Sequence, residues 1–391
     1  MEAGRAGRAY NGFVSFSRRR GWTWVPLLAV LAGYGWAQAP ATEKAQAKSS
    51  PVQQHFASPQ AELEAGIAQT RQGHYRQAIP LLRDARDKVV AVFTAGFDLA
   101  LCYAATGQNH KALKILGQLP EARTLASRAE VQNLRAQVEI ALGHPDAARA
   151  AFERAAALEP HQLPLYLFLA DACLRHADYA LGQEIITAGL AQFPNSARLH
   201  YEQASLAADT NHPRAAARGW LAAERLAHGR VIGYMARAQA DIAQAEFNDA
   251  VAAARQGLKR QPKDVLLLII FAQAVLRSGA PPGTGEFVAA RQALSLALGL
   301  SPHNAAAQLT YGQLELIAGK PAAAIPHLEA ARRAAPNDPA VYARLATAYQ
   351  RMGMGPQAKA ALARLAAINQ AHTEAYRKPG AGHAGYEGMP H

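Results

Sequence analysis

The chain has 391 residues, half of them hydrophobic but only 7% aromatic and 18% charged. Such a composition folds, yet it is short of the large side chains that fill one globular core, and the alanine in their place favours closely packed helices. Two cysteines exclude a disulfide scaffold, no CxxC pair or Cys/His cluster offers a zinc site, and the formal charge of +12 is spread without a basic run. That charge reads as a solvated surface, and no nucleic-acid partner is expected.

At the amino terminus, Arg18, Arg19 and Arg20 precede an apolar run from Trp22 to Ala37, and small residues follow at Ala39 and Ala41. This is the layout of a secretory signal peptide over residues 1–41, with cleavage after Ala41. The run is short for a membrane span, which needs about 20 apolar residues, and Pro26 interrupts it. A periplasmic or secreted bacterial protein is therefore expected. An uncleaved anchor is the alternative, and it is the one route to a membrane. Removing the segment takes away five arginines and one acid and leaves 36 bases against 28 acids, about +8. Residues 42–58 carry little to bury and read as a flexible lead-in.

From Pro59 the sequence repeats every 34 residues. Nine units follow, at 59–92, 93–126, 129–162, 163–196, 197–230, 231–264, 265–304, 305–338 and 339–372. Two extra residues fall around Ser127, and six enlarge the seventh unit at Pro281–Glu286. The eighth position is small in every unit: Gly66, Ala100, Ala136, Ala170, Ala204, Ala238, Ala272, Gly312 and Ala346. Position 20 is small too, from Ala78 through Gly182 to Ala358. Two such positions twelve apart predict a pair of helices in close approach, with Gly73, Gly107, Gly143, Gly279, Gly319 and Gly353 supplying the left-handed turn between them. Proline at position 32 (Pro160, Pro194, Pro262, Pro302, Pro336) ends five of the units. Residues 373–391, rich in glycine and proline, read as a disordered tail.

Large residues occupy the remaining contacts, with Tyr166, Tyr234 and Tyr342 at position 4, Leu99, Leu169, Phe271 and Leu345 at position 7, and Phe152 and Trp220 at position 24. In this combination the chain resembles the tetratricopeptide repeat family. The resemblance implies an all-α, right-handed superhelical solenoid whose first helices line a concave face with positions 2, 5, 9, 12 and 13. Units three and six depart from the pattern, with Arg135 and Glu139, and Arg237 and Asp241, at positions 7 and 11. Their spacing allows an ion pair within each helix. Surface pairs beside packing by Leu134, Val138, Leu206 and Ile242 are one expectation, and the border of a polar groove is the other.

On the implied concave face, position 9 holds Gln137, Asp171, Gln239, Gln273 and Gln313. Glutamine both donates and accepts, so such a ladder suits the main chain of an extended peptide, or else it is a solvated helix face. Tyr201, Leu167, Met235, Ile242, Ile269, Leu276, Leu316 and Ile317 offer apolar contacts, and Arg175, Arg277 and Arg351 at position 13 suit carboxylates. No catalytic motif, cofactor site or metal site is legible, and Asp84 and Asp87 sit beside arginines on a second helix. Cys102 and Cys173 read as buried small hydrophobes. The expected function is a non-catalytic scaffold of the bacterial envelope for a protein or peptide partner. The alternative is an accessory of surface polysaccharide synthesis or export, bound to an envelope polysaccharide complex.

Overall fold

The computed structural model describes Phe56 and residues 58–377, apart from 123 and 177, with side chains given to 370. The expected signal segment, most of the lead-in and the residues after Arg377 lie outside the described residues. Within them the chain forms eighteen α-helices and no strand. The first helices of the nine units are α1 (Pro59–Arg71), α3 (Val92–Ala105), α5 (Leu125–Leu142), α7 (Leu163–His176), α9 (Ala197–Asp209), α11 (Val231–Ala243), α13 (Val265–Arg277), α15 (Ala305–Ile317) and α17 (Pro339–Arg351). The second helices are α2 (Tyr75–Arg86), α4 (Asn109–Gln118), α6 (Pro145–Leu158), α8 (Tyr179–Gln192), α10 (Pro213–Leu226), α12 (Phe247–Arg260), α14 (Gly285–Leu300), α16 (Pro321–Ala334) and α18 (Gly355–Arg377). The two extra residues before unit three lengthen α5, which starts at Leu125. The final helix continues to Arg377, into the stretch expected as a tail.

The small residues do what close approach demands. All nine at position 8 and all nine at position 20 are buried. A Cβ on Gly312 would lie 2.5 Å from Leu328, so the contact leaves no room for one. The turns obey one rule as well: position 15 has φ between 70° and 78° at Gly73, Gly107, Gly143, Gly279, Gly319 and Gly353. In units five and six the same place is held by Asn211 (φ 61°) and Ala245 (φ 63°), so the backbone keeps its left-handed turn without a glycine. N-terminal caps come from short polar side chains, among them Asp178, Ser196, Asp264, Asn304 and Asp338.

In four units position 4 ties the unit to the one before. Tyr166, His200, Gln308 and Tyr342 reach back to the carbonyls of Pro160, Pro194, Pro302 and Pro336 at 2.8–2.9 Å. Proline cannot continue the helix, and the carbonyl it leaves exposed is satisfied by the next first helix. Buried residues run from unit to unit as a chain of clusters rather than one central core. Both thiols are buried and free, and burial pushes each up to about 12. No helix of the described residues is long and apolar enough to cross a membrane.

Candidate functional site

Every first helix packs on the first helix of the next unit, from α1 on α3 through α15 on α17, whereas among the described second helices α6 and α8 make the one contact of comparable extent. First helices therefore form a continuous layer and second helices are splayed apart, so the inner face of the array is built from α1, α3 and their successors.

Position 9 lies along this layer. All nine of its residues are half-buried: Ile67 and Leu101 in the first two units, then Gln137, Asp171, Ser205, Gln239, Gln273, Gln313 and Thr347. The strip is thus apolar at one end and polar from unit three onward. Some of its hydrogen-bonding capacity is already spent. The Gln137 amide donates to Asn133 Oδ1 at 3.1 Å, Gln239 bonds the Tyr201 phenol, and Gln273 reaches Thr310 Oγ1 at 3.5 Å. The last two bonds join neighbouring units. Each amide nonetheless has four hydrogen-bonding places, so one such bond leaves capacity for a ligand.

Several apolar residues expected to line the groove are not available to it. Tyr201, Met235, Ile269 and Leu316 are at most 5% exposed, because adjoining first helices cover positions 5 and 12. Tyr201 supplies packing and a bonded hydroxyl instead of a contact surface, and burial pushes its phenol above the usual range. Leu167 and Ile242 are half-buried, and Ile317 is 43% exposed.

The position 13 arginines divide in role. Arg175 pairs with Asp171 one turn back at 3.1 Å, and Arg351 donates to the Leu316 carbonyl at 2.7 Å, near the end of α15. Arg277 is exposed. Sequence reading passed over Asp209, at the same position in unit five. It is solvent-exposed, yet the surrounding protein pushes its carboxyl up to about 6, with Asp338 and Glu202 adding to the rise. Asp338 stands three units further along the chain, so the field at this carboxylate includes a charge that the register alone does not reveal. Among the described residues no group of three His, Cys, Asp or Glu side chains can hold a metal ion.

A profile of the tetratricopeptide repeat matches residues 69–138, 139–208 and 315–378, and a second of the same description matches 283–339. The chain belongs to the tetratricopeptide repeat family. Among solved structures it is similar to yeast Tom70, with 14% identity and a TM-score of 0.51 over 84% of this chain and 68% of that one. It is also similar to a chain of the APC/C hetero-tetramer Cut9–Hcn1, with 12% identity and a TM-score of 0.46, covering 78% of this chain and 58% of that one. Human IFIT1, in a dimer with m7Gppp-AAAA, shows 13% identity and a TM-score of 0.42 over 81% and 90%. Identities this low show the fold alone, an all-α helical repeat solenoid. No curated protein matches the chain.

Proposed function

We propose that the chain is a non-catalytic scaffold of a bacterial envelope, periplasmic or secreted, that holds a protein or peptide segment along the inner face of its first helices. One observation carries the reading: position 9 is half-buried in all nine units and polar in the last seven, so hydrogen-bonding side chains are laid out at one per repeat. An extended segment presents main-chain donors and acceptors all along its length, so a strip with one hydrogen-bonding side chain per repeat can meet a subset of them. The layout of residues 1–41 supports export, and Arg277 at position 13 supports an acidic residue in the partner.

Capture from envelope extracts, with the purified chain as bait, tests this. Replacing Gln239, Gln273 and Gln313 together by alanine is expected to reduce the captured partner several-fold while helicity stays unchanged, with melting lowered modestly by loss of the Gln239–Tyr201 and Gln273–Thr310 bonds, since each hydrogen bond nets about 0.5–1.5 kcal/mol. Equal capture by the triple variant overturns the reading.

A further inference from the structure

A second opening lies away from the position 9 strip. Helix α4 has ten residues and stops at Gln118, because Leu119 precedes Pro120 and takes an extended conformation. Other second helices run at least twelve. Where a last turn would stand there is a cleft of about 520 Å³, bounded by α4, the start of α5 and the end of α6.

Its floor is apolar, made by Phe93, Leu116, Leu119, Val131 and Leu158. Around it stand three guanidinium groups, Arg128, Arg135 and Arg154, against one carboxylate, Glu121. Arg128 is committed, pairing with Glu121 at 2.6 Å and with the Ala122 carbonyl at 3.0 Å. Arg135 is held weakly: one terminal nitrogen lies 3.4 Å from the Leu116 carbonyl and its Nε is buried without a partner. The neighbouring Gln132 buries an unpartnered Oε1, and Arg154 is exposed on α6.

We propose that this cleft binds a short peptide segment that carries a carboxylate beside apolar side chains. The apolar floor takes the side chains, Arg154 and a swung Arg135 take the carboxylate, and Gln132 offers an acceptor to a main-chain N–H. Three guanidiniums disfavour a cationic ligand by simple repulsion. A peptide fits better than a free lipid because the space is that of a missing helical turn and its walls hold both an unmet donor and an unmet acceptor.

The full-length chain is titrated against a fluorescein-labelled octapeptide of alternating leucine and glutamate, with lysine replacing glutamate in a control, and anisotropy is read. The acidic peptide is expected to bind, more weakly as salt rises, and the basic one not to bind. Arg154→Glu should weaken binding about fivefold and the Arg135→Gln, Arg154→Glu pair at least about tenfold, since a charge-assisted hydrogen bond is lost each time. Arg154 is exposed, so its substitution leaves helicity and melting unchanged. The triple glutamine variant of the inner face should bind the peptide as wild type does, which separates failure of the cleft from failure of the groove. Equal binding of the basic peptide, an unaffected Arg154→Glu variant, a weakened triple variant, or no binding of the acidic peptide at all would each overturn the proposal.

Discussion

Helices α5 and α11 carry the same departure from the repeat, an arginine at position 7 and an acid at position 11, and the fold treats them differently. In α11, Arg237 Nε contacts both oxygens of Asp241 at 2.7 and 3.0 Å, and the aspartate is 1% exposed. In α5 the corresponding pair does not form. Arg135 turns to the Leu116 carbonyl, and Glu139 accepts from His144 at 2.9 Å. The neighbours decide. Leu116 needs a donor because the residue four further on is Pro120, which has no N–H, while the corresponding place in unit five is Glu224, inside α10, with its N–H in the helix ladder. Position 16 is His144 after α5 but Glu246 after α11, so one acid finds a partner beyond its helix and the other meets repulsion. Spacing says which side chains can meet; the adjoining elements choose which of them do.

The largest expected contrast follows from burial. Arg237→Ala leaves Asp241 unpaired in the interior and should lower stability by about 2–3 kcal/mol, whereas Arg135→Ala, which removes one long contact, should cost less than about 1 kcal/mol. Urea unfolding of both variants measures the difference, and equal losses would erase the distinction between the two regions. The pH dependence carries a sign. Burial raises the Asp241 carboxyl above its unfolded value although Arg237 opposes the rise. A folded state with the higher carboxyl pKa binds the proton more tightly, so removing Arg237 widens that gap. The deficit of Arg237→Ala should therefore be fully present at neutral pH and shrink as pH falls toward the unfolded aspartate range near 4.

A second contrast lies at position 3. In unit six this is Gly233, where an added Cβ would run into the Ala227 carbonyl, because α10 continues almost onto α11. In unit three it is Val131, half-buried beside the cleft left by the short α4. Gly233→Ala should cost about 1–3 kcal/mol through backbone crowding, and Val131→Ala less. Thermal melting of the two variants ranks them, and a tolerated Gly233→Ala would show that the α10–α11 junction yields more than its geometry implies.

The register was legible because it rests on sterics that one residue reports by itself. A small side chain at positions 8 and 20 means close helices wherever it stands, and all eighteen proved buried. Leu134, Val138 and Leu206 likewise pack inward as expected, at 1–3% exposure. What the sequence hid depends on two elements at once. An ion pair that the spacing allowed between Arg135 and Glu139 was lost to outside partners, and of the two places open to Asp241 the surface one does not hold, because residues of α12 and the α10–α11 turn stand around it. The bonds from position 4 to the proline carbonyls, the engagement of Gln239 with Tyr201, and the raised carboxyl of Asp209 all join residues whose nearness exists only after the helices stack.

The smallest contrast concerns how the two helices end. Helix α5 closes on Gly143 at φ 76°, while α11 closes on Ala245 at φ 63° in the same left-handed turn. For a residue with a Cβ that conformation costs about 1–2 kcal/mol, and the hydrogen bond from the Glu246 N–H to the Asp241 carbonyl at 2.8 Å depends on it. Ala245→Gly removes the strain but frees the unfolded chain, so its net gain should be near 1 kcal/mol or a little less, and Gly143→Ala should lose a similar amount. Both positions are exposed at a turn, so neither change disturbs packing, and opposite shifts of the unfolding midpoint are expected from the pair. If Ala245→Gly instead lowers the midpoint, chain entropy outweighs the strain in this turn, and the glycine at position 15 of the other units is there for something other than its left-handed backbone.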